Sequence, residues 1–223
     1  PDNSDKGKMS CINFPTVIAA ATLYGNIAPA DRQHKNDDTV GFSNDSVYPR
    51  WHSRNAYLKN AKEIYGWAVK KLFDKNTGKV ADSRHIDGVD WNAILYNQGT
   101  FIGASCLLYK LTGKKAYLDN AVAAANYVMN TMCAAPLYIL PYKRGEEQGI
   151  YTAIFAQYMN MRVYDCGQTQ YLEWLRRTID YGWYYRDNRN LTGKDYTKTP
   201  ASDVSCYDAS GIPALMLLFP AAN

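Results

Sequence analysis

The segment AYLKNAKEIYGWAVKKLF at positions 56–73 returns as AYLDNAVAAANYVMNTMC at 116–133 and, more loosely, as QYLEWLRRTIDYGWYYRD at 170–187. In each copy, apolar or aromatic residues recur three, four and seven positions apart, the spacing of one face of an amphipathic helix. In the first copy, lysines and a glutamate occupy the opposite face. We therefore expect three outer helices, each with one face in solvent.

More uniformly apolar segments alternate with these helices: NFPTVIAAATLY (13–24), QGTFIGASCLLYKL (98–111), QGIYTAIFAQYMNMRVY (148–164) and SCYDASGIPALMLLF (205–219). Helices that are apolar nearly all round are buried, so we expect four inner helices. Pro15 fits the first turn of a helix capped by Asn13, and Gly113 and Gly167 are expected to end helices in a left-handed conformation. Pro136–Tyr142 is the one strand candidate.

The alternation of inner and outer helices predicts an α/α toroid rather than a solenoid, because in a solenoid both helix layers are partly exposed to solvent. A six-hairpin toroid with about 55–60 residues per hairpin needs about 330–360 residues. The 223 residues suffice for about four hairpins. We expect one all-α domain over residues 1–223, an incomplete (α/α)6 toroid. The chain begins at Pro1, so we also expect sequence upstream.

The composition argues against several classes of function. The 25 basic and 21 acidic residues give a net charge of +4 without a basic stripe, so nucleic acid is not an expected partner. No apolar run reaches the roughly 18 residues of a membrane span. The five cysteines form no C-x-x-C pair and the three histidines are isolated. We therefore expect free thiols, with one or two disulfides as the alternative, and no metal centre or cofactor. Nineteen tyrosines and five tryptophans suit aromatic cores and sugar-stacking clefts.

Polar and aromatic residues gather in three loops that lead into inner helices: Gly88–Gly99, Tyr142–Gly149 and Tyr196–Asp208. In a toroid such loops surround the mouth of the central cavity, where aromatic rings stack on sugars and polar side chains bind hydroxyl groups. The candidate substrate-binding residues are Trp91, Tyr96, Asn97, Gln98 and Glu147. Helix capping is the alternative for Asn97, Glu147 and Asp203.

The sequence Tyr-Asn-Gln-Gly at 96–99, the Leu-Tyr-x-x-Thr-Gly turn at 108–113 and Tyr-Leu at 117–118 resemble glycoside hydrolase family 76, the endo-α-1,6-mannanases. The resemblance extends from about Lys6 to Leu218 and follows the second half of the family. It implies an (α/α)6 barrel that hydrolyses α-1,6-linked mannan or mannooligosaccharides with retention. It also implies a cleft lined by Tyr96, Asn97 and Gln98, and a chain that lacks the N-terminal part.

The resemblance further implies a catalytic pair of consecutive aspartates at the start of an aromatic-rich inner helix that precedes the matched part. The consecutive pair Asp37-Asp38 lies instead in the polar loop HKNDDTVGFSND, and we do not assign it the catalytic role. Retention needs two carboxyl groups about 5–5.5 Å apart. Adjacent Glu146-Glu147, and Asp203 with Asp208, remain candidates, so the catalytic residues are unknown from sequence.

Three functions stay open at this point. The chain is part of a family-76-like hydrolase, a non-catalytic glycan-binding homologue, or another sugar-processing enzyme with an α/α toroid, such as an unsaturated-glucuronide hydrolase or an epimerase. An epimerase would be expected to use a histidine pair, to which His52 and His85 lend little support. Mannan is extracellular, so the resemblance implies a secreted, periplasmic or cell-surface protein.

Overall fold

The structure is a computed structural model and describes residues 7–27, 54–133, 135–142 and 148–221. Its α-helices are α1 (Ser10–Asn26), α2 (Arg54–Leu72), α3 (Leu95–Thr112), α4 (Lys115–Tyr127), α5 (Gln148–Asn160), α6 (Leu172–Tyr184), α7 (Cys206–Ala209) and α8 (Gly211–Leu218). Helix α4 continues into the π-helical turn Val128–Met132, α5 continues into the π-helical turn Met161–Asp165, and the 3-10 turn Thr169–Tyr171 precedes α6. None of the described helices has the length and hydropathy needed to cross a membrane.

The inner helices pack side by side in the order α1, α3, α5 and α8. Helix α2 packs on α1, α4 packs on α3, and α6 packs on α8. This arrangement confirms the predicted alternation of inner and outer helices. Gly113 and Gly167 have φ angles of 69° and 68°, so the two predicted left-handed ends are also confirmed.

An aromatic cluster forms the core where α1, α2 and α3 meet. The ring centroid of Phe101 lies 5.0 Å from that of Phe14 in an edge-to-face contact and 4.3 Å from that of Phe73 in a stacked contact. Tyr65 stacks on Phe101 from α2, with ring centroids 5.9 Å apart. These side chains are buried, so the apolar face of α2 closes the core from outside.

The start of α1 differs from the sequence expectation. The helix begins at Ser10 rather than after Asn13, and Pro15 therefore lies inside it. The Asn13 side-chain amide donates to the Met9 carbonyl at 2.7 Å instead of capping the helix. The backbone N–H of Ser10 donates to the Asp82 carbonyl at 2.8 Å, and the Ser10 hydroxyl donates to the Ala81 carbonyl at 2.6 Å. A contact that is distant in sequence thus sets the helix start, and local capping signals cannot report it.

The short strands were placed wrongly from sequence. Two-residue strands β1 (Lys8–Met9), β4 (Ser83–Arg84) and β5 (Val89–Asp90) form an antiparallel sheet in the order β1-β4-β5. Strands β2 (Phe73–Asp74) and β3 (Lys79–Val80) form a second antiparallel pair. The described segment 136–142 contains no strand. Its apolar pattern reflects burial, because Ile139 and Leu140 are buried and the Leu140 N–H donates to the Thr178 hydroxyl on α6 at 3.2 Å.

The fourth inner segment, predicted as one helix over 205–219, is divided at Ser210. Pro213 lacks the N–H that would bond to the carbonyl of Ala209 four residues earlier. That carbonyl accepts a 3.4 Å hydrogen bond from the Thr192 hydroxyl instead. The break therefore follows from the missing proline donor.

Candidate functional site

Side chains from three inner helices and the strand connections meet at the N-terminal ends of α1, α3 and α5. We call this cluster the mouth and define it as Cys11, Asp82, Tyr96 and Tyr151. The side chains of Cys11 and Tyr96 are neighbours, and each alters the pKa of the other. The rings of Tyr96 and Tyr151 have centroids 4.7 Å apart and an interplanar angle of 58°. The mouth thus combines aromatic faces with hydroxyl, thiol and carboxylate groups.

Tyr96 is the half-buried centre of this cluster. Burial raises the pKa of its hydroxyl well above the usual range, and the nearby Cys11 and Asp82 raise it further because each disfavours a second negative charge. The Tyr96 hydroxyl therefore stays protonated near neutral pH. It can donate a hydrogen bond at the mouth, and its ring offers an apolar face to a sugar.

Asp82 is held at both its backbone and its side chain. Its carbonyl accepts from the Ser10 N–H at 2.8 Å, and its own N–H donates to the Asp90 carbonyl at 2.9 Å. Its Oδ1 accepts from the Asn97 side-chain amide at 2.9 Å. The side chain is partly exposed, so a carboxylate fixed in position reaches the mouth and can accept hydrogen bonds from ligand hydroxyl groups.

Asn97 and Gln98 are fully buried. Asn97 does not cap α3, because the N-cap residue is Ile94 and the Asn97 amide bonds to Asp82. The Gln98 amide lies 3.5 Å from the Val80 carbonyl, at the outer limit of a hydrogen bond. Neither side-chain oxygen has a partner among the described residues. The two amides thus lie beneath the mouth, and Asn97 acts there through Asp82.

The other residues selected from sequence occupy different positions. Trp91 follows β5 directly and is 40% exposed, with no ring contact or hydrogen bond to the mouth among the described residues. Glu147 lies outside the described residues, as do Glu146, Asp37 and Asp38. Asp203 is exposed and does not cap α7, whose N-cap is Ser205. The Asp208 carboxylate pairs with Lys194 at 3.5 Å.

Two residues of the mouth, Asp82 and Tyr151, were not predicted from the sequence. Asp82 precedes a strand of two residues, which leaves no alternating pattern to recognise. Tyr151 resembles any aromatic residue of an inner helix, and its role at the mouth depends on α5 lying beside α3. One feature of the sequence could have indicated Asp82. It is an acidic residue in the connection between an outer helix and the Tyr-Asn-Gln-Gly helix start.

The remainder of the described surface offers weaker alternatives. No group of three or more His, Cys, Asp or Glu side chains in the described ranges is arranged to hold a metal ion. One open groove of about 600 Å³ runs along α6 and includes Glu173, Arg177 and Asp180. Another, of about 570 Å³, lies between α2 and α4 and includes Lys62, Lys70 and Tyr117. Both grooves lie on outer helices, away from the mouth.

Comparison with known proteins gives one family. The model of glycosyl hydrolase family 76 matches residues 49–210. No curated protein matches the sequence significantly.

Three solved structures share the fold. A protein from Listeria innocua aligns with a TM-score of 0.75 and 21% identity over 95% of this chain and 55% of its own. An α-1,6-mannanase from Salegentibacter sp. HEL1_6 aligns with a TM-score of 0.72 and 23% identity over 96% of this chain and 58% of its own. A family 76 mannosidase from Bacteroides thetaiotaomicron aligns with a TM-score of 0.67 and 21% identity over 96% of this chain and 54% of its own. The chain thus spans a little over half the length of these proteins and forms part of the predicted (α/α)6 toroid.

An inactive variant of the Salegentibacter enzyme, with two consecutive aspartates replaced by alanine, has been solved in complex with α-1,6-mannotetraose. That complex shows which type of glycan a protein of this fold binds.

Proposed function

The chain belongs to glycosyl hydrolase family 76, and from this we propose that its mouth binds α-1,6-linked mannooligosaccharides as part of the cleft of a retaining α-mannanase. The mannotetraose complex of the Salegentibacter variant supports this choice of glycan. The chain spans only 54–58% of the length of the three solved structures described above, so hydrolysis by this chain is itself part of the proposal.

The observation that carries the proposal is the combination of Asp82 with the Tyr96–Tyr151 ring pair at one end of the inner helices. Sugar rings have apolar C–H faces and hydroxyl edges, so a binding site needs an aromatic surface and hydrogen-bonding groups beside it. The Tyr96 hydroxyl supplies a donor and the Asp82 carboxylate supplies an acceptor. The Asn97 amide fixes that acceptor from below at 2.9 Å.

We assign Asp82 to binding rather than to the chemical step. Retaining hydrolysis needs a proton donor and a nucleophile about 5–5.5 Å apart on either side of the glycosidic bond. Asp82 is the one carboxylate among the residues that define the mouth, and one of its oxygens already accepts a hydrogen bond from Asn97. It is therefore placed to accept hydrogen bonds from sugar hydroxyl groups, without a second carboxyl group beside it among these residues. The catalytic pair is therefore sought elsewhere in the protein.

We further propose a secreted, periplasmic or cell-surface location. The proposed substrate is a polymer found outside cells, so the protein that cleaves or binds it has to work on that side of the membrane.

Isothermal titration calorimetry with α-1,6-mannotetraose tests the proposal, with β-1,4-mannotetraose as the linkage control and product analysis run on the same samples. Binding of the α-1,6 glycan with cleavage supports the hydrolase. Binding without cleavage shows that this chain binds the glycan but does not hydrolyse it. Binding of neither glycan overturns the proposal, and turnover of a different glycan would indicate another toroid enzyme.

A further inference from the structure

Cys106 and Cys166, from two neighbouring inner segments, lie close to each other and outside the mouth. Cys106 is buried on α3, and Cys166 is partly buried directly after the π-helical turn that extends α5. That turn packs against α3, and the two thiols are within hydrogen-bonding reach of each other. Sulfur atoms this close on adjacent elements are the first requirement for a disulfide.

The surroundings of the pair favour a thiolate on Cys166. The neighbouring Cys106 thiol and the positive charges of Arg162 and Lys110 lower the pKa of Cys166, whereas burial and the negative charge of Asp165 raise it. The same contact raises the pKa of Cys106, as does burial. Cys166 is thus the attacking thiol and Cys106 the buried partner that holds its proton.

Arg162 supplies an independent structural reason for an anion here. Its side chain is fully buried, and none of its three guanidinium nitrogens has a well-formed hydrogen bond to a described residue. The guanidinium carbon lies 5.8 Å from the Tyr171 ring centroid, whose face offers only partial compensation. Asp165 is already paired with Lys110 at 2.8 Å. A buried cation needs a negative partner, and the Cys166 thiolate is close by.

We propose that Cys106 and Cys166 are a redox-active dithiol that a low-molecular-weight disulfide converts into an intramolecular disulfide. The Cys166 thiolate attacks one sulfur of the small disulfide and releases one small thiolate, which leaves a mixed disulfide on Cys166. Cys106 then gives up its proton and attacks the Cys166 sulfur, and the second small thiolate leaves. Two protein thiols become one disulfide while one small disulfide becomes two thiols.

The cross-link would join the two inner helices that carry the ring pair of the mouth. Tyr96 lies at the start of α3 and Tyr151 at the start of α5. A bond between α3 and the continuation of α5 limits how far these helices can separate. Oxidation is therefore expected to stabilise the folded chain without adding any contact at the mouth.

The decisive experiment treats the folded full chain with oxidised glutathione, blocks the remaining thiols, and maps peptides by mass spectrometry without reduction. We expect one cross-linked pair that contains Cys106 and Cys166, two hydrogen masses lighter than the separate thiol peptides. Treatment with dithiothreitol should restore both thiols. In Cys106→Ser the reaction should stop at glutathione on Cys166, whereas Cys206→Ser, which removes an exposed thiol, should leave the cross-link unchanged.

Glutathionylation of the exposed Cys206 without a cross-link between Cys106 and Cys166 would overturn the proposal, because the oxidant would then have been active. A cross-link to any other cysteine would overturn it as well. The wild-type peptide map decides by itself if a serine variant fails to fold.

Discussion

The side-chain amide of Asn97 donates a 2.9 Å hydrogen bond to the carboxylate of Asp82, and this bond joins the first turn of α3 to the residue before β4. Asn97 is fully buried whereas Asp82 is partly exposed. The pair therefore connects the interior of the protein with its mouth. A change at Asn97 is expected to reach a ligand through Asp82.

The variant Asp82→Asn should bind α-1,6-mannotetraose roughly 10- to 100-fold more weakly, because a hydrogen bond to a charged group contributes about 1.5–3 kcal/mol. Calorimetry measures the change. Asp90→Asn is the matched control, since Asp90 is exposed and its carboxylate accepts from the Asn92 N–H. Equal affinities of the wild type and Asp82→Asn for the glycan would show that Asp82 is not part of the binding site.

A double-mutant cycle separates a direct from an indirect role for Asn97. If Asn97 acts through Asp82, then Asn97→Ala should weaken glycan binding in the wild type and have little effect in the Asp82→Ala background. The same cycle read by urea unfolding gives the contribution of the pair to stability. Additive losses of affinity would show that Asn97 contacts the glycan independently.

The close approach of α3 and α5 depends on Gly99. A Cβ atom at this position would lie 2.8 Å from the Cα of Phe155, a backbone atom that cannot move alone. Gly99→Ala should therefore lower the free energy of unfolding by about 1–3 kcal/mol. Gly66→Ala is the control, because Gly66 is an exposed position of α2 with nothing within 4 Å of the added carbon.

The control variant Gly66→Ala should be more stable than the wild type by about 0.5–1 kcal/mol, since alanine is a better helix former than glycine. Chemical denaturation measures both variants. If Gly99→Ala were as stable as Gly66→Ala, α3 and α5 would not pack as closely at Gly99 as the structure shows.

Tyr65 holds a buried polar network between α2, α3 and α4. Its hydroxyl lies 2.8 Å from the Ser105 hydroxyl and accepts from the Asn120 amide at 3.0 Å. Tyr65→Phe leaves both partners without this bond and should cost about 1–3 kcal/mol of unfolding free energy. Tyr117→Phe is the comparison, because Tyr117 contacts Tyr65 through its ring. Similar losses in the two variants would argue against the network.

Alkaline pH should destabilise the protein in part through Tyr65. Burial raises the pKa of Tyr65 to about 12 in the folded chain, against about 10 when unfolded. Between these values the unfolded state has released a proton that the folded state keeps, so stability falls as pH rises from 10 to 12, by on the order of 3 kcal/mol. Urea unfolding at several pH values should show a shallower fall in Tyr65→Phe. An unchanged slope would contradict the raised pKa.

Helical periodicity and overall apolarity predicted the two layers of the fold, because an outer helix buries one face along its length whereas an inner helix is buried on nearly all sides. It failed where one distant contact determines the local structure. Asn13 and Pro15 suggested a helix start, yet the bonds from Ser10 to Ala81 and Asp82 place the start three residues earlier than Asn13. Such bonds exist only after the chain has folded.

The site shows the same division. Tyr96 is recognisable within the Tyr-Asn-Gln-Gly helix start, and the helix order places this start at one end of the inner layer. Asp82 was missed because its position depends on two-residue strands and on the Asn97 amide. Burial of Asn97 also followed from tertiary packing, since a polar residue near a helix start is ordinarily expected in solvent.

The pairing of β1 with β4 has a consequence for engineering. Lys8 and Met9 lie opposite Arg84 and Ser83, so the residues that precede α1 and those that lead to α3 form one unit. A loop taken from a relative to alter glycan preference cannot be exchanged on the α3 side alone, because its new length would also displace the start of α1. Chimeras should therefore transfer the segment before α1 together with the α2–α3 connection.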